Sequence, residues 1–215
     1  LFGDANAVDR DTVHQLAAAE PYLFFGTAMR GMSRSDAPQI SLVTVSEPER
    51  INMLADRLHQ GWLDNYAVSL VLRQSDFLNQ EALMHNGQVL ADPSSLFYYG
   101  NSQGAIIGGG YTAWHPDIER VSLGVGGMAF SLFLTRTYNF EPFLDVLEVM
   151  YEDWLDISLI TGLLQQFWTP VEAVGWAHLN DKELLFQAGK GDNSVPAIAA
   201  HYMARSFDLT MIEPV

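Results

Sequence analysis

An α/β fold, with a mostly parallel sheet flanked by helices, is what this sequence predicts, and three observations predict it. Short apolar runs alternate with longer stretches of helical period along most of the chain, the pattern of strands joined by crossover helices. Runs such as Tyr22-Leu23-Phe24-Phe25 are continuous rather than alternating, as strands buried on both faces are. Finally, 215 residues at 48% hydrophobic and 12% aromatic suffice for one domain with a sizeable core. The expected organisation is a single domain over 1–215, with a possible cap-like insertion over 131–181.

Taken in order, Tyr22–Phe25 reads as the first strand, closed by Gly26. After Pro48, Ile51, Leu54, Leu58, Trp62 and Leu63 follow the spacing of an amphipathic helix running to Val71, with Gly61 a point for a bend. Leu96–Tyr99 is the second strand, ended by Gly100, and Ala105–Trp114 is a small-residue helix closed by Pro116. Arg120–Val125 and Leu184–Ala188 are the third and fourth strands. Val195–Phe207 reads as a helix with proline in its first turn and Ser194 as its cap. In the long intervening segment Ser131–Asp181, Glu141, Asp145, Glu148, Glu152 and Asp156 recur at three- to four-residue steps. A calcium-binding face is one reading of that stripe, but the solvated side of a helix explains it more simply. A crossover of this length suggests a helical cap over the sheet.

Composition excludes several function classes. Against 26 acidic residues there are 11 basic ones, a formal net charge of −15. That balance argues against nucleic acid, whose phosphates need clustered Lys and Arg, and against anionic lipid. There is no cysteine, so disulfides, thiolate zinc sites and a cysteine nucleophile are excluded. The longest apolar run, Val121–Leu134, is short and interrupted by three glycines and two serines, so no transmembrane segment is expected. No pair of histidines has metal-ligand spacing, and neither metal nor cofactor is expected.

The chemistry-bearing motif is Gly100-Asn101-Ser102-Gln103-Gly104, set between a strand and a helix. In that context a serine occupies a turn so tight that its backbone is strained, with glycines where side chains would collide. The turn presents the Ser102 hydroxyl at the sheet's carboxyl edge. It also aims the Gln103 N–H at the site of a developing oxyanion, beside a helix amino end. The run Gly108-Gly109-Gly110 lets the helix approach the sheet closely.

The stretch from Phe97 to Gly109 resembles the nucleophile elbow of bacterial α/β-hydrolases of the serine esterase and lipase kind. Gly189-Lys190-Gly191-Asp192-Asn193-Ser194-Val195-Pro196 is similar to their Gly-x-x-Asp-x-x-Val-Pro acid loop. Gly26 to Asp36, with Gly31-Met32-Ser33-Arg34-Ser35-Asp36, resembles the loop after the fourth strand of that fold. The resemblance implies Ser102 as nucleophile, Asp192 as the acid that orients a histidine, and the chain order Ser, acid, His. Asp192 also suits a helix cap, and the two roles are compatible. Only His201 follows Asp192, and the helix beginning near Val195 carries it away from the acid loop at about 1.5 Å per residue. The catalytic histidine is therefore expected beyond Val215, after one more strand starting near Thr210. Leu1-Phe2-Gly3-Asp4 resembles the tail of a His-Gly-Leu-x-Gly oxyanion loop, which makes the Leu1 N–H the second oxyanion donor. These residues thus read as an internal piece of a larger polypeptide, with the edges of the sheet completed by its remainder or by a partner chain.

Other motifs compete less well. Gly124-Val125-Gly126-Gly127-Met128-Ala129 has the letters of a dinucleotide fingerprint, but the aromatic and β-branched residues over 130–138 make a poor helix start. Gly189-Lys190-Gly191 lacks the remainder of a phosphate loop. The function expected is a carboxylic-ester hydrolase acting through an acyl-enzyme on Ser102, with a small-molecule or lipid ester as substrate. The alternative is a non-catalytic structural or binding subunit on a hydrolase fold. Acidity and the lack of cysteine point toward a secreted or cell-envelope bacterial protein.

Overall fold

Three of the expected strands form, and all three lie after residue 96. The computed structural model describes residues 5–20 and 22–213, including every side chain in those ranges except 44, 45 and 48. They group into two compact units, Leu1–Leu96 and Phe97–Val215.

The first unit carries α1 (Asp11–Ala19), α2 (Ala37–Ser46), α3 (Asn52–Leu72) and α4 (Ser75–Leu78), followed by a two-residue antiparallel pair, β1 (Met84–His85) and β2 (Gln88–Val89). Leu54, Leu58 and Trp62 of α3 are buried at helical spacing, as the sequence predicts. Gly61 has a packing role: a β-carbon there would stand 2.6 Å from the Arg30 carbonyl oxygen. The chain through Gly31, at φ +91°, crosses α3 there and at Leu58. Buried Asp36 then fixes the loop. It accepts hydrogen bonds from Gly31 N (2.8 Å), Ser33 N (2.9 Å) and Ser33 Oγ (2.6 Å), and pairs with the Arg57 guanidinium. Burial opposes ionisation of Asp36, but the Ser33 and Arg57 bonds outweigh it and hold the carboxyl below its usual range. Tyr22–Phe25, expected as a strand, pairs with nothing in the described ladder and is irregular. An aromatic run becomes a strand only where a neighbour accepts its ladder.

The second unit is built on a three-stranded parallel sheet, β3 (Phe97–Asn101), β4 (Arg120–Gly124) and β5 (Glu183–Gln187), in that order. The register aligns Phe97, Arg120 and Glu183 at the amino ends and Asn101, Gly124 and Gln187 at the carboxyl ends. Period-two alternation puts Tyr98, Gly100, Val121, Leu123, Leu184 and Phe186 on one face. That face is buried or half-buried, while Phe97, Tyr99 and Leu185 on the other are exposed. Against the buried side lie α5 (Gln103–Trp114), the crossover between β3 and β4, and α10 (Ala197–Ser206) after β5.

Between β4 and β5 run α6 (Phe130–Leu134), α7 (Glu141–Met150), α8 (Trp154–Trp168) and α9 (Ala173–Trp176), so the segment 131–181 is helical, as expected. The acidic stripe does not belong to one helix. Glu141, Asp145 and Glu148 are exposed on α7, Glu152 lies in the break, and Asp156 is on α8, whose amino end Asp153 caps by accepting from Leu155 N at 2.8 Å. Residues 209–212, where one more strand was expected, are irregular. Among the described residues no helix is long and apolar enough to cross a membrane.

Candidate active site

Ser102 sits where the sheet hands the chain to a helix. Its N–H donates to Gly124 O (2.8 Å), extending the β3–β4 ladder by one step, while its carbonyl accepts from Ala105 N (2.8 Å) and Ile106 N (3.0 Å), opening α5. Meeting both demands puts Ser102 at φ 55°, ψ −117°, a conformation that costs a non-glycine residue about 1–3 kcal/mol. The side chain is exposed, and among the described residues its hydroxyl caps nothing and accepts nothing.

The two glycines of the motif act differently. A β-carbon on Gly100 would stand 2.3 Å from the Gly104 carbonyl oxygen and 2.7 Å from Tyr98 Cε1, so the turn closes only over glycine. On Gly104 a β-carbon would meet nothing nearer than Tyr98 Oη at 3.9 Å. The expectation that bulk is excluded there is corrected: the Gly104 carbonyl makes the close approach, and its own α-carbon has room. That carbonyl accepts from Tyr98 Oη at 2.7 Å. The Tyr98 ring fills the slot beside Gly108, where a β-carbon would be 2.5 Å from the phenol oxygen. Burial pushes the Tyr98 phenol above its usual range and keeps it a donor. Gly108 therefore sets the close helix–sheet approach predicted for the glycine run.

The neighbouring strand ends complete the edge. Gly124, read in the sequence as part of a dinucleotide-like motif, makes room for Asn101, whose Oδ1 would lie 2.5 Å from a β-carbon there. Gly126 and Gly127 pack tightly against Ala105, Phe186, Val195 and Ala199; packing alone accounts for these glycines. Val125, at φ 48°, donates its N–H to Gln187 O at 2.7 Å. The loop after β5 folds back over it: a β-carbon on Gly189 would be 3.0 Å from both Val125 Cγ1 and Asp192 Oδ2.

Asp192 caps this loop. Its Oδ1 accepts from Ser194 N (2.7 Å) and Val195 N (3.0 Å), which corrects Ser194 as the cap; α10 begins after Pro196 with no side-chain cap of its own. Asp192 Oδ2 faces Gly189. Ser102 and Asp192 therefore occupy the same carboxyl edge, at the ends of strands separated by β4. Gln103 is the first residue of α5, so its N–H is among those that an α-helix directs out of its amino end. Leu1 lies outside the described residues.

No imidazole of this unit stands at that edge. His115 is buried at the carboxyl end of α5, with Nδ1 accepting from Asp117 N at 3.1 Å, roughly 20 Å along the helix from Ser102. His178 is exposed, ahead of the amino end of β5, and His201 is exposed on α10.

Sequence reasoning missed Glu172. It is fully buried, with Oε1 accepting from Phe130 N (3.1 Å) and from the Gln165 side-chain amide, which also accepts Ser131 N at 2.9 Å. Its Oε2 is buried without a partner. Burial pushes its carboxyl up to about 7 despite the Gln165 and Phe130 bonds. The available signal was an acid flanked by Val171 and Ala173 in an otherwise uncharged stretch.

Comparison of the chain with protein-family models, with curated proteins and with solved structures gave no match.

Proposed function

We propose that the chain is the Ser102-bearing portion of an α/β-hydrolase-type serine enzyme that cleaves carboxylic esters through an acyl-enzyme. One observation carries the reading: a serine, not a glycine, is held at φ 55°, ψ −117° between a parallel strand and a helix amino end, with its side chain exposed. Glycine would relieve that conformation, so a serine there has a chemical rather than a conformational reason.

In this reading an imidazole takes the Ser102 proton as Oγ bonds to the ester carbonyl carbon. The oxyanion so formed is held by the Gln103 N–H at the amino end of α5. Collapse expels the alcohol, which receives the proton from the imidazolium. Water then repeats the sequence and releases the acid. Asp192 orients the imidazole. Two strand spacings, about 10 Å, separate the ends of β3 and β5, enough for one imidazole with a hydrogen bond at each nitrogen. The reading requires that histidine from another part of the polypeptide or from a partner chain. The aromatic-rich helices over 131–181 suit an apolar acyl group.

The absence of a hydrogen-bond partner for the Ser102 hydroxyl among the described residues favours a second reading, a hydrolase fold kept as a binding or structural subunit. A fluorophosphonate probe on the full-length protein separates the two. Labelling at Ser102 that is lost in Ser102→Ala is expected of the enzyme; a folded protein that resists the probe is the scaffold.

A further inference from the structure

Glu172 lies where three helical elements meet. Its Oε1 accepts from Phe130 N at the start of α6 (3.1 Å) and from the Gln165 side-chain amide on α8. Gln165 in turn accepts from Ser131 N (2.9 Å) and donates to Thr169 Oγ1 (3.2 Å). The Phe130 ring stacks on Trp168, with centroids 4.3 Å apart. One carboxyl thus ties together α6, the last turn of α8 and the turn Thr169–Val171.

Both donors converge on Oε1, and Oε2 is buried without a partner. A neutral carboxyl leaves only a hydroxyl unpaired there, whereas a carboxylate leaves a buried charge with no cation to offset it. The surroundings supply none. α6, α9 and the turn Thr169–Val171 hold no other titratable side chain. Of the elements packed around them, α5 carries buried Tyr111 and is followed by buried His115. α8 carries Asp156, about 13 Å along the helix from Gln165. His201 and Arg205 on α10, Glu141, Asp145 and Glu148 on α7, Arg136 after α6 and His178 after α9 are all exposed. Among the described residues none of these groups bonds to Glu172.

We propose that Glu172 is a proton-operated latch: neutral, it holds the start of α6 against α8 and the turn beyond; ionised, it lets them part. Parting admits water to the carboxylate, so the open form gains as the proton leaves. The motion is bounded, because Met128 N donates to Ala199 O (3.2 Å) and pins the chain just ahead of α6 to α10. Burial holds the closed carboxyl near 7, against an ordinary value near 4.5. The ratio of open to closed therefore rises about tenfold per pH unit between those values, about 300-fold in all. The latch is firm in acid and loosened above neutrality. Neither Ser102 nor Asp192 takes part in it, so it stands apart from the ester-hydrolase reading.

Amide hydrogen exchange on the full chain, corrected for the intrinsic base-catalysed rate, reads the latch at Phe130 and Ser131, whose N–H groups bond to Glu172 and Gln165. Both amides are expected to share one opening, less protected than the amides of β3–β5 and little affected by low urea, the mark of a local event. Between pH 5 and pH 8, above the isoelectric point of about 4.5, their protection should fall roughly 70-fold. Glu172→Gln keeps an oxygen for Phe130 N and takes no charge, so in that variant the fall should vanish. Wild-type protection that stays constant over this range overturns the proposal. So does exchange of the two amides only together with the sheet, at the same protection and urea dependence, or a fall that survives in Glu172→Gln. If that variant does not fold, the wild-type pH profile and urea dependence decide alone.

Discussion

At Gly100 an added β-carbon would press 2.3 Å from the Gly104 carbonyl oxygen and 2.6 Å from its carbon, main-chain atoms that cannot rotate away. Overpacking of this kind costs typically 1–3 kcal/mol. Relief here means opening the elbow and losing the 2.7 Å bond from Tyr98 Oη to that carbonyl, so Gly100→Ala should cost about 3 kcal/mol. At Gly104 the same methyl group enters space, 3.9 Å from its nearest neighbour, and replaces glycine in the first turn of α5. There alanine should gain up to about 1 kcal/mol through helix propensity and reduced unfolded-state entropy. The two glycines of one motif thus carry opposite signs, separated by about 4 kcal/mol. Urea unfolding of both variants, followed by circular dichroism, measures the difference. The reasoning is refuted if Gly104→Ala loses as much stability as Gly100→Ala, or if Gly100→Ala unfolds with the wild type.

Three further outcomes concern Ser102, Asp192 and the buried Glu172. Ser102→Gly should be about 1 kcal/mol more stable than Ser102→Ala, the backbone strain of about 1–3 kcal/mol being partly offset by the entropy of glycine; equal unfolding midpoints would remove the strain argument. Asp192→Asn keeps an oxygen for the Ser194 and Val195 amides and should change stability by less than about 0.5 kcal/mol. In the complete enzyme it should nevertheless lower kcat by roughly 10³–10⁴, whereas a residue that only caps would leave kcat alone. Burial pushes the Glu172 carboxyl up to about 7 from its ordinary value near 4.5. Its contribution to stability is therefore full below pH 4.5 and lost as pH rises toward 7, on the order of 3 kcal/mol in all. Glu172→Gln should abolish that part of the profile, so that the variant gains on the wild type between pH 4 and pH 8 in chemical denaturation; a difference constant with pH would speak against a buried, protonated Glu172.

What the sequence made legible is local. The elbow was readable because strand, turn and helix follow one another without interruption from Phe97 to Trp114, and each glycine or serine answers to near neighbours. β4 and β5 were readable because their apolar runs lie between turn residues. Tyr22–Phe25 has the same look but forms no ladder, and pairing is a property of a second segment that the run does not contain. The acidic stripe kept its period across the Tyr151–Asp153 break, so periodicity merged two helices into one. At the head of α10 several polar residues could satisfy the loop amides, and only the fold-back of Gly189 over Val125 brings Asp192 into place. Glu172 was invisible because its burial depends on Phe130 and Gln165, 42 and 7 residues away.

The hydrogen bonds just past the strand ends have a kinetic consequence. Ser102 N–H is bonded to Gly124 and Val125 N–H to Gln187, each beyond the last residue of its own strand. Both protons should exchange with deuterated solvent as slowly as those of the strand interiors, because the turn cannot open unless the sheet opens with it. An exposed serine on a mobile loop would wander among rotamers and backbone states. This one shares the lifetime of the sheet, and its hydroxyl stays registered against the loop after β5 for as long as the three strands remain together.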